Sequence, residues 1–298
     1  MKTRAWITAL RLRTLPLALA SIGMGSFLAA SEHVFKLNVL IWAALTTIFL
    51  QILSNLANDY GDSVNGADNE HRVGPVRAVQ SGVISAGEMK IGILMFIFLA
   101  LAAGIILLSE TVGLGTNLFY WFLGFGVLSI GAAYTYTAGN RPYGYAGLGD
   151  LMVLIFFGIL GVGGSYFLYA QQIDAQIILP AISMGALATG VLNINNIRDI
   201  ESDTKAGKQT IPVRFGQQVA IKYHWSLIII AVSAAAYYIY LQGYNYYNLI
   251  WLLGVPLLFI NGYKVATTPL QKDLDPYLKQ LALSTLLFML AFGLAIVL

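Results

Sequence analysis

The stretch IGILMFIFLALAAGIILLS, residues 91–109, carries no charged side chain and is long enough to cross a lipid bilayer as a single helix. A hydrocarbon core of roughly 30 Å needs about 20 apolar residues in helical form. The same measure applied along the whole chain predicts nine spanning helices. They lie near residues 14–31, 37–57, 91–109, 117–138, 148–170, 176–196, 221–241, 248–267 and 279–298. Because lipid offers the backbone no hydrogen-bonding partner, we expect an all-α integral membrane protein.

The composition of the chain agrees with this fold class. Of its 298 residues, 58% are hydrophobic and 10% are charged, whereas a soluble domain carries about 25% charged residues. The mean hydropathy is +0.72. Cysteine is absent, which excludes disulfides and thiolate metal sites. No linker separates the helices, so we expect one domain over residues 1–298, and the small net charge gives no indication of a nucleic-acid partner.

The basic residues are distributed unequally between the two ends of the predicted helices. Every lysine and arginine except Lys36 falls on one set of alternate connections. The positive-inside rule then predicts a cytoplasmic N-terminus. We expect a multi-pass protein of the inner (plasma) membrane. Two cytoplasmic connections, 58–90 and 197–220, are long and carry most of the charge. We therefore expect an active site that faces the cytoplasm.

Acidic and amide side chains cluster at helical spacing in both of these connections. Residues three or four apart share one face of a helix, and this spacing occurs in each cluster. Carboxylate and amide oxygens in this number are the ligands of a hard cation such as Mg²⁺, and no histidine cluster argues for zinc. The predicted metal ligands are Asn58, Asp59, Asp62, Asp199 and Asp203.

Basic residues follow each acidic cluster, Arg72 and Arg77 in the first connection and Lys205 and Lys208 in the second. Mg²⁺ held by acids, with Lys or Arg beyond it, is the composition of a diphosphate site. The alternative interpretation is that both connections are merely solvated and obey the positive-inside rule. That rule does not require paired aspartates at helical spacing, and the chain has them twice. We therefore predict that these four basic residues bind diphosphate.

Four stretches of the chain resemble the UbiA superfamily of intramembrane prenyltransferases: NDYGDSVNGAD, RVGPVRAVQSGVIS, YTYTAGNRPYGYAGLGD and NNIRDIESDTKAGKQTIPVRFG. Within that superfamily, the runs NRPYGYAGLGD and AGKQTIPVRFG are similar to the branch that prenylates 1,4-dihydroxy-2-naphthoate. The resemblance covers nearly the full length. The chain departs from the superfamily's first motif at Gly66, where an aspartate is usual, and the next acid is Asp68.

The resemblance implies an activity. A Mg²⁺-dependent enzyme would transfer a polyprenyl group from polyprenyl diphosphate to 1,4-dihydroxy-2-naphthoate, with loss of diphosphate and CO2. The product would be demethylmenaquinone, in menaquinone biosynthesis. Two alternatives stay open: another aromatic acceptor such as 4-hydroxybenzoate, and a transporter with a metal site on its cytoplasmic side. Acids gathered at one membrane face favour an enzyme, because a transporter's acids line a path near the midplane.

The implied reaction develops an allylic cation, which aromatic rings stabilise. Four tyrosines lie on or beside the connection after the fourth predicted helix: Tyr134, Tyr136, Tyr143 and Tyr145. Tyr134 and Tyr143 are assigned to catalysis, although tyrosine is also common at membrane interfaces.

Two further residues on this connection are candidates for the acceptor site. Asp150 begins a long apolar helix, where an ionisable group is costly enough to suggest a function. It is a candidate to orient or deprotonate an acceptor hydroxyl, and the alternative is a carboxylate favoured by the helix dipole. Arg141 is the candidate to bind the acceptor's carboxylate.

Glycines are frequent in the fifth predicted helix, at Gly158, Gly161, Gly163 and Gly164. Small residues allow membrane helices to approach closely. They are also compatible with a groove for the prenyl tail, and the sequence does not separate the two.

Overall fold

The computed structural model describes residues 2–65, 77–139, 141–243 and 245–298, and every regular element in those ranges is helical. Nine helices there are long and apolar enough to span a membrane. They are α1 (Lys2–Ser31), α2 (Leu37–Val64), α3 (Ala86–Thr111), α4 (Asn117–Thr135), α5 (Gly149–Ala170), α6 (Ala175–Arg198), α7 (Gln217–Leu241), α8 (Tyr246–Thr267) and α9 (Gln271–Val297). The predicted all-α membrane fold with nine spans is confirmed.

Two of the helix boundaries differ from the sequence prediction in ways that matter for function. In α1, the segment Lys2–Leu10 is separated from Leu15–Ser31 by a turn at Arg11, whose φ of 47° is left-handed. The predicted first span corresponds to the second segment only. Helix α2 continues to Val64, past the predicted end at residue 57. The first acidic cluster therefore belongs to the last turns of a helix and not to a loop.

Helix α6 lies at the centre of the bundle and packs against α1, α5, α7 and α9. Buried polar contacts fix it against α7. Ser183 donates to the carbonyl of Ala231 at 2.9 Å, and the Asn193 amide donates to the carbonyl of Ala220 at 2.9 Å. Such bonds replace the hydrophobic driving force that membrane helices lack. Because α6 is held from the α7 side, its opposite face is left to line a cavity.

The glycines of α5 serve two purposes. A Cβ on Gly158 would lie 2.5 Å from the carbonyl oxygen of Ala181, so α5 and α6 are in contact there. A Cβ on Gly161 would lie 2.8 Å from the Ser21 Cβ of α1, whereas a Cβ on Gly164 would meet open space. This part of α5, Leu154–Gly164, is wound as a π-helix, a form that is frequent at functional sites. Close packing explains Gly158, and an open wall explains Gly164.

Helices α2 and α6 end at the same end of the bundle, called the acidic end below. Two short helices, Ile200–Lys205 and Ile211–Phe215, follow α6 there. Helix α3 begins at this end with a capping box, in which Ser85 accepts from the Glu88 backbone N–H and Glu88 accepts from that of Ser85. These connections surround the residues that the sequence predicts to be functional.

Candidate active site

A cavity of about 490 Å³ extends from the acidic end into the bundle. Charged and amide side chains gather at its acidic end and include Asn58, Asp62, Arg77, Asp199, Asp203 and Lys208. Its deeper wall is mainly apolar and includes Leu107, Phe122, Phe125, Phe156, Phe157, Leu160 and Leu168. The cavity therefore joins a charged chamber to a hydrocarbon-lined one.

Asp62 is contacted by three side chains in the chamber. It is 2% exposed. Its Oδ2 lies 2.7 Å from Arg77 Nη2, while its Oδ1 accepts from the Tyr145 hydroxyl at 3.0 Å and lies 3.2 Å from Lys208 Nζ. Arg77 also donates to the carbonyl oxygen of Asn58. Three segments distant in sequence therefore meet at one carboxylate.

Asp59 has a different environment, although it lies only three residues before Asp62. Its two oxygens accept the backbone N–H groups of Ala78 and Val79, each at 3.1 Å. Asp59 does not line the cavity. Asn58 does, and its Oδ1 accepts from the Thr137 hydroxyl at 3.0 Å. Asp59 thus anchors the segment that carries Arg77.

In the second acidic cluster, Asp199 is held by a guanidinium group. Arg198, 1% exposed, places Nε 2.8 Å from Oδ1 and Nη2 2.6 Å from Oδ2 of Asp199. The remaining Nη1 lies 2.5 Å from Asp275 at the start of α9, and Asp275 in turn pairs with Arg13 at 2.9 Å. This series of ion pairs ties the ends of α6 and α9 to the turn within α1.

The two clusters meet at Lys208, whose Nζ lies 3.3 Å from Asp203 Oδ1 as well as near Asp62. Burial raises the pKa of Asp203 to about 6, with Lys208 opposing this shift and Asp199 adding to it. Burial alone would lower the pKa of Lys208, but the two carboxylates more than offset that effect and hold it above its usual value. Lys208 is therefore a stable ammonium ion between two acids.

Three of the four candidate tyrosines line the cavity, namely Tyr136, Tyr143 and Tyr145. The rings of Tyr136 and Tyr143 meet edge to face with centroids 5.3 Å apart, and the Tyr143 hydroxyl donates to the Ala132 carbonyl. Burial raises the pKa of Tyr143 to about 12 and that of Tyr136 above its ordinary value. Both are neutral phenols at physiological pH. Tyr134 does not line the cavity and packs instead in the apolar cluster between α2 and α3.

The two candidates for the acceptor site lie away from the cavity wall. Asp150 is directed toward Tyr223 of α7, and its buried Oδ1 has no hydrogen-bonding partner. Its neighbour Gly149 lines the cavity, but Asp150 itself does not. Arg141 is exposed on the connection between α4 and α5 and also does not line the cavity.

The remaining predicted residues divide into two groups. Lys205 pairs with Glu201 at 3.4 Å on the surface of the short helix and does not line the cavity. Arg72, with Gly66 and Asp68, lies outside the described residues, so the structure places none of them.

The sequence alone assigns no role to Arg198 or to the turn at Arg11 and Arg13. That turn also lines the cavity. The positive-inside rule explains Arg198 only as a cation on the cytoplasmic side. The available signal was its position beside Asp199 at the end of an otherwise apolar helix, where an unpaired arginine would be costly. Nothing in the sequence around Arg13 predicts its ion pair with Asp275 of α9.

The donor set of the chamber fits a hard divalent cation. The carboxylates of Asp62 and Asp203 and the amide side chains of Asn58 and Asn196 line one chamber. Oxygen donors of these types are those that Mg²⁺ uses, together with waters and substrate phosphates. In addition, the ammonium of Lys208 lies within 3.3 Å of both carboxylates, which shows that the space between them favours positive charge.

Residues 18–279 match the UbiA prenyltransferase family. This chain belongs to that family. Among UbiA relatives, the 1,4-dihydroxy-2-naphthoate octaprenyltransferase of Haemophilus influenzae is 44% identical over 297 residues, which cover 99% of this chain and 96% of the relative. The enzyme of the same name from Escherichia coli is 46% identical over 257 residues, which cover 86% and 83% of the two chains.

The fold is that of solved UbiA structures. A UbiA homologue from Archaeoglobus fulgidus, bound to GPP and Mg²⁺, superposes with a TM-score of 0.67 at 19% identity and covers 98% of this chain and 99% of its own. An apo UbiA homologue from Aeropyrum pernix gives a TM-score of 0.68 at 16% identity, over 93% and 96% of the two chains. The whole described bundle, and not only the acidic motifs, therefore has the UbiA fold.

Proposed function

We propose that this UbiA-family protein transfers a polyprenyl group from a polyprenyl diphosphate to 1,4-dihydroxy-2-naphthoate and releases diphosphate and CO2. The observation that carries the proposal is the two-part cavity. Its charged chamber suits a diphosphate, and its apolar chamber suits the hydrocarbon attached to that diphosphate. The choice of acceptor is supported by the relatives from H. influenzae and E. coli, which are named for this acceptor.

At the charged end, the side chains of this chain have distinct tasks. Asn58, Asp62, Asp199 and Asp203 would hold Mg²⁺, and Asp59 would keep the Arg77 segment in place. When bound, Mg²⁺ neutralises charge on the leaving diphosphate. Arg77 and Lys208 would donate to phosphate oxygens, because charge-assisted bonds are the strong ones. The diphosphate would thereby be oriented with its prenyl chain toward the apolar chamber.

The tyrosines suit the other half of the reaction. Tyr136 and Tyr143 are neutral, so they would stabilise an allylic cation through their rings and not serve as bases. If the new C–C bond forms at the carbon that bears the carboxylate, that carboxylate leaves as CO2 and its bonding electrons restore the aromatic ring. No residue then has to remove a proton from that carbon. This agrees with the position of Asp150 outside the cavity wall.

The test is incubation of the purified full-length protein with Mg²⁺, a polyprenyl diphosphate and carboxyl-labelled 1,4-dihydroxy-2-naphthoate. We expect labelled CO2 and a prenylated naphthalenediol in equal amounts, detected by radiometry and mass spectrometry. In a parallel reaction, 4-hydroxybenzoate should give no product. A prenylated product that keeps its carboxylate, or turnover with 4-hydroxybenzoate alone, would overturn the assignment of the acceptor.

We further propose that residues 1–298 act as one domain of the inner membrane, with the acidic end in the cytoplasm. The basic residues of alternate connections support this orientation. Because the chain has no cysteine, a single introduced cysteine reports its side without interference. A cysteine replacing Glu201 should react with an impermeant maleimide only from the cytoplasmic side, and one replacing Thr116 only from outside. Labelling of both from one side would exclude the proposed topology.

A further inference from the structure

The backbone around Lys208 is fixed by the second acidic cluster and by the connection between α4 and α5. Its backbone N–H donates to the Asp203 carbonyl at 2.9 Å, and the next N–H, of Gln209, donates to the Tyr145 carbonyl at 2.9 Å. Gly207 precedes it at a φ of 73°, a conformation that suits glycine. The backbone is thus fixed on both sides of Lys208, and only the long side chain is left to move.

The ion pairs of the Lys208 ammonium are longer than that of its neighbour Arg77, although the ammonium also lies 4.9 Å from the centre of the Tyr145 ring. Lys208 Nζ lies 3.2 Å from Asp62 Oδ1 and 3.3 Å from Asp203 Oδ1, whereas Arg77 reaches Asp62 at 2.7 Å. Close charge-assisted bonds measure about 2.7–2.9 Å. Arg77 is also fixed by a second bond to the Asn58 carbonyl. Of Arg77 and Lys208, the lysine is therefore the cation that can leave the carboxylates more readily.

Mg²⁺ and the ammonium group would use the same carboxylates. Asp62 and Asp203 would be among the oxygen ligands of Mg²⁺, and the same two carboxylates hold Lys208 Nζ. Two positive charges at one pair of buried carboxylates would repel each other strongly. We propose that the Lys208 ammonium competes with Mg²⁺ for the carboxylates of Asp62 and Asp203, that Mg²⁺ binding displaces it, and that it then turns to the diphosphate.

This inference rests on the metal site of the proposed function and adds an order of binding to it. Without diphosphate, the displaced ammonium loses two carboxylate partners and gains no phosphate oxygens in return, so Mg²⁺ alone should bind weakly. With a diphosphate present, the ammonium gains a new partner as it moves. Metal and diphosphate should therefore strengthen each other's binding, and Lys208 should be a source of that coupling.

The experiment measures metal binding without any prenyl or aromatic substrate. Full-length protein in nanodiscs of uncharged phosphatidylcholine is titrated with Mn²⁺ as an EPR-visible substitute for Mg²⁺. Lys208→Met removes the competing charge and should raise Mn²⁺ affinity by roughly tenfold or more, within the usual range of coupling between sites. Lys208→Gln, which keeps a polar side chain, should do the same if the methionine variant does not fold. Lys208→Arg should stay close to the wild type, as should the control Lys222→Met, which alters an exposed lysine of α7.

The outcomes separate this inference from the assignment of function. If the neutral variants bind Mn²⁺ no more tightly than the wild type, Lys208 does not compete with the metal and the inference fails, whatever the acceptor proves to be. If no variant binds Mn²⁺ saturably, the metal site itself is wrong and the exchange fails with it. Failure of the product assay with intact Mn²⁺ binding would affect the acceptor alone.

Discussion

The end of α2 and the segment that follows α6 each carry a pair of aspartates, and within each pair one acid is immobilised while the other contacts Lys208. At the end of α2, Asp59 is held by two backbone N–H groups and lies outside the cavity. At the end of α6, Asp199 is held by the guanidinium of Arg198 and still lines the cavity. The two similar sequence motifs therefore differ in how anchoring and binding are divided between their acids, because Asp59 is held by backbone N–H groups and Asp199 by a side chain.

The largest effects on turnover are expected at Asp62 and Asp203, the two acids that contact Lys208. Asp62→Asn should lower kcat about 10³-fold, since removal of one group that stabilises a developing charge typically costs 10²–10³ and Arg77 and Lys208 also lose their common partner. Asp203→Asn should be affected to a similar degree. The measurement is steady-state turnover, with the melting temperature of each variant as the control for folding. Near-normal turnover in either variant would show that the two helix ends do not form one site.

A somewhat smaller effect on turnover is expected at Arg198, which holds Asp199 of the second pair. Arg198→Met leaves Asp199 without its bidentate partner and should lower turnover roughly a hundredfold, because small displacements of positioned groups cost about that much. Breaking a buried ion pair should also destabilise the fold by about 3–5 kcal/mol.

Asp275→Asn is the matched control for Arg198, since it weakens only the outer part of the same series of ion pairs. Asp275 is partly exposed, so we expect less than about a threefold loss of turnover, in line with the small contribution of exposed pairs. Equal losses in the two variants would assign Arg198 to the packing of α9 and not to Asp199.

Replacement of Asp59, the immobilised acid of the first pair, should have a weaker effect on catalysis. Asp59→Asn replaces an acceptor of two N–H groups with one that accepts through a single oxygen, and a hydrogen bond to a charged group is worth about 1.5–3 kcal/mol. We expect a loss of stability of that size, measured by denaturant unfolding, and about a tenfold loss of turnover. Mn²⁺ affinity should change little. A fall in Mn²⁺ affinity as large as in Asp62→Asn would place Asp59 among the metal ligands after all.

Much of the fold follows from the sequence because each spanning helix needs its own long apolar run. The local spacing of Asn58 and Asp62 likewise places both on one helix face. Spacing alone did not reveal that Asp59 is turned toward the backbone of Ala78 and Val79, because that depends on how a distant segment packs against α2. The position of Lys208 between two acids required the two helix ends to meet, which no short stretch of sequence encodes.

The orientation of α5 was also beyond the sequence. A carboxylate at the start of an apolar helix is expected to have a purpose, but which side of the helix it faces depends on the rotation of that helix. The π-winding between Leu154 and Gly164 changes the angular position of each residue along the wall. The sequence gives Tyr134 the same claim to the site as Tyr136 and Tyr143, and only the packing of the helices and of the connection distinguishes them.

The smallest effect is expected on the connection between α4 and α5, which offers a comparison of its own. Tyr145 reaches from it to Asp62, whereas Arg141 is exposed and outside the cavity wall. If Arg141 held the acceptor's carboxylate, its loss would cost about 1.5–3 kcal/mol, or roughly one to two decades in the acceptor KM. From its position we expect Arg141→Ala to change that KM less than about threefold, since surface substitutions usually alter free energies by about 0.5 kcal/mol or less.

Tyr145→Phe, which removes a bond to a charged acid, should lower turnover about tenfold. Both variants are assayed with the acceptor varied at saturating prenyl diphosphate. A tenfold rise in acceptor KM for Arg141→Ala would mean that the connection closes over the acceptor when it binds, and would return Arg141 to the site.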